Sequence, residues 1–291
     1  MSTGAAICAL PTSIFSHHRR MFSSAITLNT QAQVILKKDK TKLVEEMNPF
    51  IYSHAIKRTV PQDITVGSEC LVQDYQGKVI GRGMYNPESL YRVRVLALAS
   101  EAVESKFDPM SLSIAELILF RLKEAKELRE TIVGLPSADT TVYRLVNGEG
   151  DRLSGLIIDV FNENTIVVQS SAAWTEKHRS DIEAGVQALY TGTSIMWLPM
   201  VTRLAQEGWT ETVTQSHTLD LIPNDMQSNS NVSEANVMRV LENGISYEVS
   251  PGNGQKTGFY CDQRENRRFL QKFCKGIIAS AVYFMSHDEY K

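Results

Sequence analysis

Cysteine is scarce in this chain. Four occur in 291 residues, at Cys8, Cys70, Cys261 and Cys274, and no two stand in CxxC spacing. That argues against a zinc ribbon or a dithiol redox motif and suits a reducing compartment. Excess charge is also lacking. The net charge is −3, so any case for nucleic-acid binding must rest on local patches. No apolar run approaches the length of a membrane-spanning helix, and no membrane partner is expected. Acidic residues are missing before Asp39. The opening "MSTGAAICALPTSIFSHHRRMFSSAITL" is instead rich in Ser, Thr and Ala and carries Arg19 and Arg20. This is the composition of an organellar transit peptide, whereas an untargeted tail is the bland alternative. Residues 1–31 are expected to be a leader to a plastid (chloroplast) or a mitochondrion, with "RRMFSS" offering a processing site.

What is present is ordinary for a globular protein: 43% apolar and 22% charged residues, enough chain for two modest domains. "AQVILKKDKTKLVEEMNPFIYSHAI" reads as a short strand, a helix ending near Met47 and a turn. "GSECLVQDYQGKVIGRGMYNPESLYRVRVLAL" reads as β, punctuated by glycines. Tyr91, Val93, Val95 and Ala97 alternate with Arg92 and Arg94, the period of a half-buried strand. Residues 32–98 are therefore expected to be a β-rich domain. A central α/β domain over 110–225 follows. From Ile114 the apolar positions Leu117, Ile118, Phe120, Leu122, Ala125 and Leu128 recur at helical spacing. "TVYRLVNGEGDRLSGLIIDVFNENTIVVQSS" fits three strands with turns at 147–151 and 162–164. Residues 173–190 are expected to be helical, with Ala173, Ile182, Val186 and Leu189 inward. Residues 205–231 are polar and weakly patterned and read as a loop. "VMRVLENGISYEV" is a hairpin signal, with Asn243-Gly244 suiting a type I′ turn.

"PGNGQKTGFYCDQRENRRFLQKF", residues 251–273, carries the chemistry. It is not a phosphate loop of the GxxxxGK[ST] type, because Gln255 stands where that pattern needs glycine, and a hairpin rather than a parallel strand precedes it. A nucleotide-dependent kinase is disfavoured accordingly. A helix is expected over 263–275, with Asp262 as N-cap and Phe269, Leu270, Phe273 and Cys274 as an apolar stripe. Arg264, Arg268, Lys272 and Lys275 share a face. That face is either a solvated charge run or an anion site, and the adjoining Gly-rich turn favours binding.

"YRLVNGEGDRLSGLIIDVF", followed about a hundred residues on by "GQKTGFYCDQRENRRF", resembles the large-subunit (23S-type) ribosomal RNA methyltransferases with an N-terminal PUA domain. "NPFIYSHAI" and "GRGMYNPESLYRVRVL" are similar to that family's PUA domain, with Phe50 where a tryptophan is usual. The likeness covers about residues 33–276. It implies an α+β, in part α/β, architecture: a PUA-like β-barrel, a small central α/β domain, and over 236–291 the lead-in of a Rossmann-like methyltransferase domain. It implies S-adenosylmethionine as cofactor and ribosomal RNA as partner, with cytosine C5 as the expected target atom. By the same resemblance Gln255, Lys256, Thr257, Gly258, Phe259, Asp262 and Arg264 wall the cofactor and target-base pocket. The RNA-holding residues are expected to be Arg82, Arg92 and Arg94 of the PUA-like stretch, Arg144, and Arg267, Arg268 and Lys272 of the last helix.

The departure comes after Gly276. The family continues with an apolar strand and a glycine-rich turn that hold the cofactor. Here "IIASAVYFMSHDEYK" contains no GxG turn. No catalytic residue is assigned, and Cys261, among aromatic neighbours, reads as a structural thiol rather than a nucleophile. The expectation is an enzyme by family whose chain is catalytically incomplete, with S-adenosylmethionine bound weakly or not at all. The alternative is a non-catalytic RNA-binding module or regulatory isoform. The apolar stripe of the 263–275 helix is expected to be covered by a second copy or another partner. "YRLVNGEGDRLSGLIID" is expected to be mainly structural, against a reading in which Arg144, Glu149 and Asp151 face the pocket.

Overall fold

The computed structural model describes residues 31–102, 107–210, 237–252 and 256–273. The leader (1–30), most of the polar 205–231 stretch, Gln255, Cys274, Lys275 and Gly276 lie outside the described residues. From Ala32 onward the chain forms one compact unit.

The N-terminal part is a six-stranded sheet. Its strands are β1 (Ala32–Leu36), β2 (Phe50–Ile51), β3 (Ile56–Val60), β4 (Ser68–Gln73), β5 (Val79–Tyr85) and β6 (Val93–Leu98), in spatial order β2-β6-β5-β4-β1-β3. One short helix, α1 (Lys42–Glu45), interrupts it. Val34, Leu36, Ile51, Cys70, Val72, Val93 and Val95 fill its core. All six residues of β6 are buried. Alternation still operates, but the second face is covered too. Val93 and Val95 point into the sheet's own core, while Leu96, with Met84 of β5, joins the core of the next layer.

That layer holds α2 (Ile114–Glu127), β7 (Val142–Asn147), β8 (Leu156–Phe161), β9 (Thr165–Ser170), α3 (Ala173–Lys177), α4 (Arg179–Leu189), β10 (Ser194–Pro199) and α5 (Val201–Gln206). Ser113 and Glu116 cap α2 reciprocally. Leu117, Ile118, Leu122 and Ala125 are buried as its spacing predicts, whereas Leu128 is largely exposed, because the helix widens into a π-type turn over Leu128–Val133. The sheet order is β10-β9-β8-β7, with β10 parallel to β9 and the others antiparallel. Strand β10 is absent from the sequence reading.

Period-two alternation gives this sheet two faces. Leu156, Ile158 and Val160 of β8 and Ile166 and Val168 of β9 meet α2 and α4. Phe161, Val167 and Val142 face the other way. Onto that second face folds the hairpin β11 (Met238–Glu242) and β12 (Ile245–Val249), closed by Asn243 (φ 51°) and Gly244 (φ 77°), the paired positive φ of a type I′ turn. Helix α6 (Arg264–Gln271) ends the described chain and is shorter than the sequence suggests. Asp262 is not its N-cap. It lies in a 3-10 turn, Cys261–Gln263, and its carboxylate is held by Lys256 at 2.6 Å.

Candidate functional site

The lead-in segment 256–264 is organised around a buried carboxylate. Alternation along β8 turns Asp159 to the hairpin side, where it is fully buried. Arg144, its register partner on β7, donates to both its oxygens at 2.9 and 3.1 Å. Thr257, also fully buried, donates its hydroxyl to Asp159 Oδ2 at 2.6 Å. A carboxylate without water is costly unless paired and hydrogen-bonded, and here it is both. Thr257 thus latches the segment to the sheet. Lys256 (φ 55°) and Gly258 (φ 99°) let the chain turn sharply on either side of it. Burial works against the Asp262 charge, but the Lys256 ammonium holds its carboxyl below the usual range.

Phe259 packs against Tyr247 of β12 at 5.3 Å, with the Arg267 guanidinium 4.6 Å over its ring. Arg267 donates to both oxygens of the buried Glu242 at 2.6 Å and to the Tyr260 carbonyl at 2.7 Å. Arg264 pairs with Glu265 at 3.0 Å. Cys261 is buried, and burial pushes its thiol well above the ordinary value, so a resting thiolate nucleophile is disfavoured there. Six of the seven expected cofactor residues therefore sit in one short segment. The Thr257 hydroxyl is committed to Asp159 rather than turned outward.

The expected RNA-facing arginines divide in two. Arg82 is only 2% exposed. It pairs with Glu69 at 2.7 Å and donates to the Leu112 carbonyl. Arg94 is buried and reaches Ser154 Oγ and Glu207 Oε1, each at 2.7 Å. Arg144 and Arg267 are taken by Asp159 and Glu242, as described. In the structure all four guanidinium groups are engaged with carboxylates of the chain itself. The physical reason for Arg82 and Arg94 is that β5 and β6 are covered on both faces. Arg268 and Lys272 are exposed, and Arg92 is half-buried with one weak bond of 3.5 Å to the Asn86 carbonyl. Phe269, Leu270 and Phe273 beside them are 57%, 57% and 65% exposed.

Sequence reading missed the seam itself. Glu207, 7% exposed, accepts from Ser89 Oγ (2.7 Å) and Arg94 on one oxygen, and from Asn86 Nδ2 (3.2 Å) and Ala173 N (3.3 Å) on the other. Arg121 of α2 donates to the Leu96 carbonyl of β6 at 2.8 and 3.0 Å and to Glu101 at 2.6 Å. A lone arginine inside an apolar helical stripe was the available signal for Arg121; Glu207 gave none. The acidic side chains of the 147–151 turn are engaged within the chain. Asp151 takes both ends of the Arg129 guanidinium and the Asn147 N–H, and Glu149 accepts from Ser154. Among the described residues no His, Cys, Asp and Glu cluster could hold a metal ion, and no helix is long and apolar enough to cross a membrane.

Residues 34–98 match the family model of a PUA-like domain. Ribosomal RNA large subunit methyltransferase I of Tolumonas auensis is 30% identical over 243 residues, which cover 83% of this chain and 55% of that protein. The protein of the same name from Pseudoalteromonas translucida is 29% identical over 242 residues, covering 83% and 54%. Over most of its length the chain is similar to PUA-domain-containing large-subunit rRNA methyltransferases. It spans about half the length of the curated relatives it matches. The fold agrees. The structure of SMU.776, described as a methyltransferase and complexed with SAH, superposes with a TM-score of 0.58 at 18% identity, covering 82% of this chain and 53% of that one. A SAM-dependent methyltransferase structure from Streptococcus mutans gives a TM-score of 0.57 at 17% identity, again over 82% and 53%. At that identity the likeness concerns architecture alone. The first of these structures holds SAH, and the second is described as SAM-dependent.

Proposed function

We propose that this chain supplies the RNA-holding part, and the approach to the cofactor site, of a SAM-dependent large-subunit rRNA methyltransferase acting on cytosine C5. The observation that carries the reading is the extent of the match. It takes in 243 residues, 83% of this chain. Of the expected RNA-holding residues, Arg92, Arg268 and Lys272 remain to meet phosphate, and Lys256, Gly258 and Asp262 lie where the lead-in meets solvent. S-adenosylmethionine would be approached from that segment, with Phe259 as a wall. The chain spans about half the length of the relatives it matches, and on its own it is expected to hold RNA and to transfer methyl poorly or not at all. A non-catalytic RNA-binding isoform is the second reading, favoured by that same span. The exposed Phe269, Leu270 and Phe273 support a second copy or a partner against α6. The basic, acid-free leader supports an organellar address, plastid or mitochondrion, which a reporter fused to residues 1–35 would test.

The central experiment pairs two measurements on the whole chain: binding to large-subunit rRNA across salt, and labelled methyl transfer from S-adenosylmethionine. If Arg92, Arg268 and Lys272 make the phosphate contacts, the salt dependence is shallow, with a log–log slope of about −2 between ~50 and ~200 mM. Affinity that ignores salt would remove phosphate contacts as its source. Methyl incorporation by this chain alone would refute its catalytic incompleteness.

A further inference from the structure

We propose that four rings on the N-terminal sheet, His54, Tyr52, Tyr91 and Phe50, form a stacking platform for unpaired bases of the RNA. This rests on the RNA-holding role above and specifies what is held: exposed bases of a single-stranded segment rather than duplex. The rings follow one another in space. Phe50 and Tyr91 stack with centroids 4.4 Å apart and planes 27° from parallel. Tyr91 and Tyr52 are 5.6 Å apart and tilted by 59°. Tyr52 and His54 stack at 5.8 Å and 23°. Strand pairing builds the run, because Phe50 and Ile51 of β2 register against Arg94 and Val93 of β6 and bring Tyr91 alongside.

The floor of the run is fixed. The Arg94 guanidinium lies 5.6 Å from the Phe50 ring centre and 5.4 Å from that of Tyr91, and Glu207 holds it from behind. The outer side is open. Phe50, Tyr52 and Tyr91 are half-buried, His54 is exposed, and neighbouring Leu90 is 65% exposed. A cation flanks it: the Lys37 ammonium donates to the His54 carbonyl at 2.7 Å.

Ordinary core packing predicts something else. In the central layer Tyr143 and Tyr190 are buried and bond each other through their hydroxyls at 2.9 Å. Among the described residues, the hydroxyls of Tyr52 and Tyr91 and the imidazole of His54 have no such partner. Flat apolar faces, polar edges and the Lys37 ammonium at the His54 end match what an unpaired base offers: a π-face, a hydrogen-bonding edge and a phosphate. A duplex hides those faces in its own stack.

The test uses the full chain and RNA carrying 2-aminopurine, as a single strand, annealed to its complement, and as an abasic strand. Binding of the single strand should quench the probe. Tyr52→Ala should weaken single-strand affinity by about tenfold, and Tyr52→Phe should retain most of it. Duplex affinity and the thermal midpoint should stay as in the parent. His54→Ala, at an exposed position, serves if Tyr52→Ala fails to fold, and should reduce quenching. Unchanged single-strand affinity and quenching in these variants would overturn the platform. Equal binding of abasic and base-bearing strands would overturn it while leaving the RNA-holding role intact; loss of all RNA binding in the parent would remove that role itself. Ring variants that change sedimentation but not RNA affinity would make the run a contact between copies, and would also overturn the proposal.

Discussion

Glu207 answers donors from three separate stretches of chain, the 86–89 loop, β6 and the start of α3. Replacing it by alanine leaves the Arg94 guanidinium buried without its carboxylate. Glu207→Ala should cost about 3–5 kcal/mol in urea unfolding, and Arg94→Met combined with Glu207→Leu should recover much of that. A loss well under ~1 kcal/mol would mean that water reaches the pair. The thiols make a different prediction. Burial raises both Cys70 and Cys261 above the ordinary 9.0. Unfolded, they ionise near that value, whereas folded they keep their protons. The native state then binds more protons than the unfolded chain, so stability should fall as pH rises past about 9. Unfolding midpoints on either side of pH ~9 should show the fall, and Cys70→Ala with Cys261→Ala should shrink it. A slope indifferent to both substitutions would refute the assignment. Cys261 as a structural thiol was legible in its aromatic neighbours. The fate of Arg82 and Arg94 was not, because alternation says which side of a strand a residue takes and nothing about what covers that side.

Among the elements, the β11–β12 hairpin and α6 depend on each other through Arg267 and Glu242. Arg267→Ala should destabilise the chain by about 3 kcal/mol, since Glu242 would remain buried and unpaired, and should leave RNA affinity unchanged. Arg268→Ala, one residue on and exposed, should do the reverse, lowering RNA affinity with the unfolding midpoint held. If Arg267→Ala weakens RNA binding at full stability, the internal tie is the wrong account. Most elements were readable in advance. The three strands of 142–170, the hairpin and its Asn243-Gly244 turn follow from local alternation and turn chemistry. Strand β10 was not, because its pairing with β9 spans two helices and its short run, Ser194–Pro199, has no regular alternation. Helix α6 was read too long because propensity alone sets no end. Asp262 was misplaced as a cap because Lys256, six residues back, competes for its carboxylate.

The whole molecule is sewn together by guanidinium groups: Arg82 to Leu112, Arg94 to Ser154 and Glu207, and Arg121 to Leu96. The lead-in at 256–264 was legible as a site because its residues are contiguous. The seam was invisible because its members come from positions as far apart as 82 and 207. This has a practical consequence for anyone dissecting the protein. The recognised module ends at residue 98, but the cooperative folding unit does not. A fragment cut there would carry Met84, Leu96 and Ala97 with their greasy side bare, and Arg94 without Ser154 and Glu207. Proteolysis that respects module borders should therefore yield an insoluble piece, and shuffling this PUA-like module onto another protein would require carrying its neighbour's surface along.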